Sequence, residues 1–296
     1  MTYDKQLTTS PSVASHKSSV GGHVPVLLNE VLKFLEPKPG EFFIDGTFGA
    51  GGHSRAIQER IGPPAGGGRL LAIDWEKTGE NYADLVEILK AKKLGKADGL
   101  LLDLGFSSEQ LGGGKGFSFQ INEPLAMVYD INQNPVRTIL KELTEKELAG
   151  IIRDLGGEKF SGRIARVIKE IIHRRGINTT FDLAEAVKSA VPGNYEHGRI
   201  HPATRTFQAL RIYANNELGN LEKVLKDLFK IVKSGGRVAI ISFHSLEDKI
   251  VKNYFRDYAK EEKLKILTKK PVEASDEEVR SNPRSRSAKI RAAQII

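Results

Sequence analysis

The stretch Phe42-Phe43-Ile44-Asp45-Gly46-Thr47-Phe48-Gly49-Ala50-Gly51-Gly52-His53 constrains the fold of this chain more than any other. A short apolar run follows Pro39-Gly40 and gives way to glycines, the pattern of a buried strand that turns sharply into a helix. Glycines at 49, 51 and 52 let the backbone turn and leave room for something bulky to lie against it. A helix entered near Gly52 aims unpaired N–H groups at that space. The stretch reads as a cofactor cradle; the plainer alternative is a strand–turn–helix corner with no ligand.

A dinucleotide fingerprint starting at Gly49 needs glycine at 54, where the chain has Ser54. A nicotinamide dehydrogenase is therefore a distant possibility. Asp45 ahead of the turn and the Gly51-Gly52 doublet are more similar to the D-x-T-x-G-x-G-G loop of S-adenosylmethionine-dependent methyltransferases.

Bulk properties narrow the remaining classes. The absence of cysteine excludes disulfides, thiolate nucleophiles and zinc–thiolate sites. A net charge of +8 permits a polyanionic partner such as nucleic acid without requiring one. No apolar run reaches the roughly 18 residues of a membrane span. Residues 1–22 are rich in Ser and Thr and have no apolar centre, so a disordered tail and a cytoplasmic protein are expected.

Three further strands are expected. Arg69-Leu70-Leu71-Ala72-Ile73 closes on Asp74, where a nucleoside cofactor would have its ribose hydroxyls held. Gly99 to Leu104 includes Asp103 and leads to Ser107 and Ser108. Arg237 to Ile241 ends in Ser242-Phe243-His244-Ser245, with Ser245 expected to cap the next helix and Asp248 to complete the box. His244 is a candidate base or a structural hydrogen-bonder, and no second His or carboxylate stands at metal-ligand spacing. Between Asp74 and Tyr82 there is no room for the crossover helix and strand that a parallel sheet should carry next.

From about 136 to 232 the periodicity is helical. Thr144 and Glu147 predict a capping box. A long helix opening at His201-Pro202 puts Thr204, Gln208 and Arg211 on one polar face and an apolar stripe through Leu218 and Leu221 on the other. The tail from Asn282 to Arg291 alternates basic and small residues, which suits either a solvated edge strand or a phosphate-contacting arm. Because ligands of open parallel sheets bind beyond the carboxyl ends of the strands, Asp45, Asp74, Asp103 and Ser242–Ser245 mark the expected site.

Taken in order, several stretches resemble one family, the 16S rRNA (cytosine-N4)-methyltransferases called RsmH or MraW. They are His23-Val24-Pro25-Val26-Leu27-Leu28, Asp45 to Ser54, Asp98 to Gly105 with Ser107-Ser108, and Gly116-Phe117-Ser118-Phe119. Gly157-Glu158-Lys159-Phe160, His201 to Ile212, Ile240 to Asp248 and Asn282 to Ser287 complete the set. The resemblance implies an α/β fold: a Rossmann-like class I methyltransferase sheet over 23–109 and 233–296, with a helical substrate domain inserted at 110–232. It implies S-adenosyl-L-methionine as cofactor and the N4 amino group of a P-site cytidine in small-subunit 16S rRNA as substrate. By matching position, Gly51, Gly52, His53, Asp74, Tyr82, Asp103 and Gln110 would contact the cofactor.

Asp103 and Ser107, with Ser242 and His244 opposite, are the candidates for the target pocket. Arg205, Gln208 and Arg211 are candidates for gripping rRNA phosphate or for ordering the insertion, Arg284 and Arg286 are candidates for rRNA contact, and no metal is required. Two departures stand out. The family's helix–strand unit between the Asp74 and Tyr82 positions is missing. Where the family reads Pro-Leu-Asp-Met-Arg-Met-Asp, this chain reads Pro124-Leu125-Ala126-Met127-Val128-Tyr129-Asp130. These departures motivate a rival, a non-catalytic RNA-binding relative.

Overall fold

A computed structural model describes residues 24–105, 113–130, 132–195 and 201–296. The expected tail over 1–22 and the site candidates Ser107 and Gln110 lie outside the described residues. The glycine stretch folds as its pattern dictates: β1 (Phe42–Asp45) follows α1 (Leu28–Leu35) and turns into α2 (Gly52–Ile61). Then come β2 (Arg69–Ala72), a one-turn α3 (Trp75–Thr78), α4 (Leu85–Ala91) and β3 (Ala97–Asp103). After the insertion, β4 (Val232–Ser242), α12 (Ser245–Lys260), β5 (Leu264–Ile266), β6 (Val272–Glu273), α13 (Asp276–Ser281) and β7 (Lys289–Ile295) complete the sheet layer.

The sheet runs β2-β1-β3-β4-β7-β5, with β6 also on β7. Strands β1 to β4 are mutually parallel, and β7 runs antiparallel to β4, β5 and β6. Alternation along the strands feeds two cores. Ile44, Leu100, Leu102, Val238 and Ile240 pack with the helices after β2 and β4, while Phe43, Leu101, Ala239 and Ile241 pack on α1 and α2. Since β1 to β4 are parallel, their carboxyl ends, and with them Asp45, Asp74, Asp103 and Ser242, share one edge of the sheet. The basic tail is not an edge strand: β7 lies between β4 and β5, its residues 290–293 are buried, and Arg291 forks onto Asp248 at 2.6 and 3.0 Å.

The gap after Asp74 is real in the fold. Strand β2 ends the sheet on its side among the described residues. Arg69 and Ile73 donate their N–H groups to Glu41 and Asp45 of the β1 segment. By alternation, Leu70 and Ala72 turn their peptide groups outward, to an edge with no described strand on it. The chain instead makes α3, a 3₁₀ turn over Tyr82–Asp84, and α4, which returns it directly to β3 beside β1.

The insertion holds α5 (Val136–Glu142), α6 (Glu145–Gly156), α7 (Ser161–Arg174), α8 (Thr180–Ala190) and α9 (Thr204–Ala214). Its core is a separate cluster built on Val136, Leu148, Ile152, Ile164, Leu183, Phe207 and Leu210. The box of Thr144 and Glu147 forms as the spacing predicts. The long helix does not run through. It breaks at Asn215-Asn216, where Asn216 has φ +50°, and restarts as α10 (Glu217–Lys226) and α11 (Leu228–Ile231). Buried Asn215 ties the break to the insertion, bonding the Met127 carbonyl and the Tyr129 N–H. Leu221, Val224, Leu225 and Leu228 already belong to the sheet's core. We therefore place the end of the insertion near Asn215, earlier than 232.

Candidate active site

Two cavities open on the carboxyl edge and share Thr47, Gly49, Asp103 and Gly105. The larger encloses about 760 Å³ and is walled by Asp74, Trp75, Tyr82, Tyr129, Glu217 and Glu247, among others. The smaller, about 340 Å³, is lined by Pro25, Phe48, Gly51, Gly52 and His53. Together they form one two-lobed cleft.

The turn is built for close approach. Gly49 and Gly51 have φ of +49° and +75°, the left-handed region that penalises a Cβ. A Cβ on Gly51 would also stand 2.8 Å from the Phe48 ring, and one on Gly52 would meet Pro25 at 3.0 Å. Gly51→Ala should accordingly lower the folding stability by about 1–3 kcal/mol. Chemical denaturation checks this, and an unchanged unfolding free energy would contradict it.

Asp45 sits beneath the turn, fully buried, accepting Ser54 Oγ at 2.7 Å and the Thr47 N–H at 3.1 Å. Burial raises its pKa, against the lowering effect of the Ser54 bond and of His53. Asp74 locks two elements together: Oδ2 accepts the Gly49 N–H at 2.9 Å, and Oδ1 caps α3 through the N–H groups of Glu76 and Lys77. A carboxylate has about four acceptor positions, so one remains on Oδ2 for a ligand hydroxyl.

His53 and Asp103 meet at the junction of the lobes, Nδ1 3.5 Å from Oδ2. His53 Nε2 lies 2.9 Å from the Val26 carbonyl, an acceptor only, so Nε2 carries a proton. Nδ1 is left facing Asp103 Oδ2, and a proton on either atom would bridge the two. Burial raises the Asp103 pKa, and His53 partly opposes that. Asp103 Oδ1 accepts only a long 3.3 Å bond from Gly105 N–H and keeps acceptor capacity toward the cleft.

Other expected site residues are placed differently. Ser242 is 2% exposed and donates its hydroxyl to the Lys289 carbonyl; it lines neither lobe. His244, not Ser245, caps α12: its Nδ1 accepts the Glu247 N–H, and Glu247 returns bonds to the N–H groups of Phe243 and His244. The imidazole thus competes successfully with the neighbouring serine for the cap. The fold also supplies what spacing did not show, carboxylates around His244, with ligand atoms of Glu217, His244 and Glu247 all within 4.8 Å. Arg211 forks onto Glu217 at 2.8 and 2.9 Å and Glu247 Oε2 serves the cap, whereas His244 Nε2 is buried without a hydrogen-bond partner, 3.1 Å from Glu247 Oε1.

Arg211 is consequently an internal strut and not an rRNA contact. Arg205 donates to the Tyr195 hydroxyl at 3.2 Å, and Gln208 is half-buried beside it on α9. Arg284 and Arg286 are exposed on the 3₁₀ turn Pro283–Ser287 that leads into β7, whose first residue, Lys289, pairs with Ser242. They therefore stand near the carboxyl edge. Tyr82 lines the larger lobe, and burial raises its pKa, with Glu217 and Glu247 adding to that. Sequence reasoning missed Trp75, Tyr129, Glu217 and Glu247 as cleft residues. The available signal was an aromatic directly after Asp74; the other three arrive from distant segments.

Comparison with known proteins decides the family. The model of the MraW methylase family matches residues 21–79 and 71–296. The chain belongs to the MraW methylase family. Its relatives include proteins named ribosomal RNA small subunit methyltransferase H. The one from Synechocystis sp. is 45% identical over 93% of each chain. That from Thermotoga neapolitana is 44% identical over 93% of this chain and 96% of its own, and that from Methylococcus capsulatus 42% over 90% and 99%.

The family match breaks into two pieces that both claim residues 71–79, at the shortened connection after β2. The Synechocystis alignment spans 299 positions yet takes up 93% of this 296-residue chain, about 275 residues, so roughly two dozen positions are filled by the relative alone. This is the scale of one helix and one strand.

Proposed function

We propose that the chain is an rRNA (cytosine-N4)-methyltransferase that takes a methyl group from S-adenosyl-L-methionine and places it on a cytidine of small-subunit 16S rRNA. The observation that carries this reading is the cleft itself: a glycine cradle, an acidic strand end and an aromatic lobe meet at Asp103, in a chain of this family. The residues present fit the cofactor. The α2 N-terminus and Gly51-Gly52 would take its amino-acid end, Asp74 a ribose hydroxyl, and the Trp75–Tyr82 side its base. When bound, the cofactor supplies an electrophilic methyl group on a sulfonium.

The chain's own residues do the rest. Cytosine N4 is a poor nucleophile because its lone pair is delocalised into the ring. Asp103 Oδ1 would accept a hydrogen bond from the amino group, stabilising positive charge as the N4–C bond forms and the S–C bond breaks. N4 then sheds one proton, and the Asp103–His53 pair is positioned to receive it. The target base has to leave its stack to reach this junction, and exposed Arg284 and Arg286 near the carboxyl edge would hold the flanking phosphates.

The mild charge excess suits that partner, and no helix among the described residues is long and apolar enough to cross a membrane. The rival reading, a relative that kept the scaffold and lost the reaction, draws no support from the intact cleft. Calorimetry with S-adenosyl-L-methionine tests the proposal: one binding event per chain is expected, and no heat would refute it.

A further inference from the structure

Trp75 is the only tryptophan of the chain, and it stands in the connection from which the helix–strand unit is missing. Its ring lies 5.7 Å from that of Tyr129, which in turn stacks on Phe117 at 5.1 Å. Both Trp75 and Tyr129 wall the larger lobe, and each is half-buried, so each keeps a surface open to it. Tyr129 is firmly held. Its N–H donates to Asn215 Oδ1 at 2.9 Å, its hydroxyl reaches Glu217 Oε1 at 3.3 Å, and Arg211 fixes that carboxylate. Two consequences follow from ring separation and position. At 5.7 Å between centroids and 36° between planes the rings leave no room for a further ring between them; they form one angled aromatic wall. Trp75 and Tyr129 line only the larger lobe, with Asp74, while Gly51 and Gly52 line only the smaller. A charged amino-acid end suits the polar N–H groups of the glycine lobe, and a flat base suits an aromatic wall.

We propose that Trp75 and Tyr129 form the adenine-facing wall of this chain's cofactor site, standing where the shortened connection leaves the base without the cover of a further strand. The inference rests on the cofactor reading above. It assigns specificity for an adenine nucleoside to two residues from opposite sides of the cleft, one beside β2 and one in the insertion. The insertion thereby becomes part of the cofactor site as well as a cover for the substrate.

The test titrates the full chain with S-adenosylhomocysteine, adenosine and L-methionine, following Trp75 emission and heat in parallel. S-adenosylhomocysteine and adenosine should change the emission saturably, with the midpoint that calorimetry gives, and methionine should leave it unchanged. Trp75→Ala should weaken S-adenosylhomocysteine by about tenfold or more, the scale of one lost stacking contact, while Trp75→Phe stays within a few-fold. Circular dichroism checks that both variants fold; if Trp75→Ala does not, the wild-type emission decides. Binding by heat with unmoved emission, or a Trp75→Ala chain that binds as wild type, overturns the inference and leaves the cofactor reading standing. No heat from wild type with S-adenosylhomocysteine refutes the cofactor reading, and this inference with it.

Discussion

Asp103→Asn should cut methyl transfer by about a hundredfold or more and, at neutral pH, make the protein harder to unfold. The loss follows from chemistry: an amide cannot take the N4 proton, and with His53 Nε2–H held by the Val26 carbonyl the pair has no other strong acceptor facing the cleft. The gain follows from burial. A folded carboxylate whose pKa lies above its ordinary 3.8 contributes stability that is complete below about that pH and is lost as pH rises through the raised value. At neutral pH the wild type therefore bears the cost of a charged Asp103 that asparagine removes. An asparagine Nδ2–H can also donate to the facing His53 Nδ1 without a shared proton. The melting temperature of the variant should exceed that of wild type near pH 7.5, and the difference should shrink toward zero near pH 4. A variant no more stable at pH 7.5 than at pH 4, relative to wild type, would show that the burial cost is not there; retained activity would remove Asp103 from the mechanism.

The second large effect concerns the missing unit. Grafting the Synechocystis relative's extra residues between Lys77 and Asn81 should give β2 a neighbour and cover half-exposed Leu70 and Leu71. Covering two such side chains stabilises by about 2 kcal/mol, which for a chain of this size raises the melting temperature by about 3 °C. Hydrogen exchange gives an independent readout. The outward N–H groups of Leu70 and Ala72 should exchange fast in the native chain and slowly in the graft. Slow exchange at both positions in the native chain would mean that the edge is already covered, and an unchanged melting temperature would mean that the shortened connection carries no stability cost.

Much of this fold was legible because it is written in local patterns. The strand–glycine–helix stretch, the apolar strands and the Thr144 box each depend on residues a few positions apart, and each formed where expected. The shortened connection after Asp74 was legible for the same reason, since a crossover needs a minimum length whatever its composition. What stayed hidden depends on distant partners. The break at Asn215 exists because its side chain reaches Met127 and Tyr129, nearly ninety residues earlier, and nothing in the helical periodicity of 204–221 announces it. Arg211 suited a phosphate or carboxylate fork, and it forks onto the carboxylate of Glu217 across that break. The tail from 289 looked like an edge because it is basic, yet β5 and β6, three and two residues long, are too short to show as periodic and place it inside the sheet. Tyr129, in the altered stretch Pro124 to Asp130, lines the lobe that holds Asp74 and Trp75, which no local pattern announces.

The account turns on whether this cleft, with its shortened edge, still transfers a methyl group. Small subunits from a strain lacking the corresponding modification, incubated with the chain and methyl-labelled S-adenosyl-L-methionine and digested to nucleosides, answer that directly. The account predicts label in the 16S rRNA that co-migrates with N4-methylcytidine, at close to one methyl per subunit. Label at another nucleoside, or a chain that binds the cofactor and transfers nothing, would contradict it.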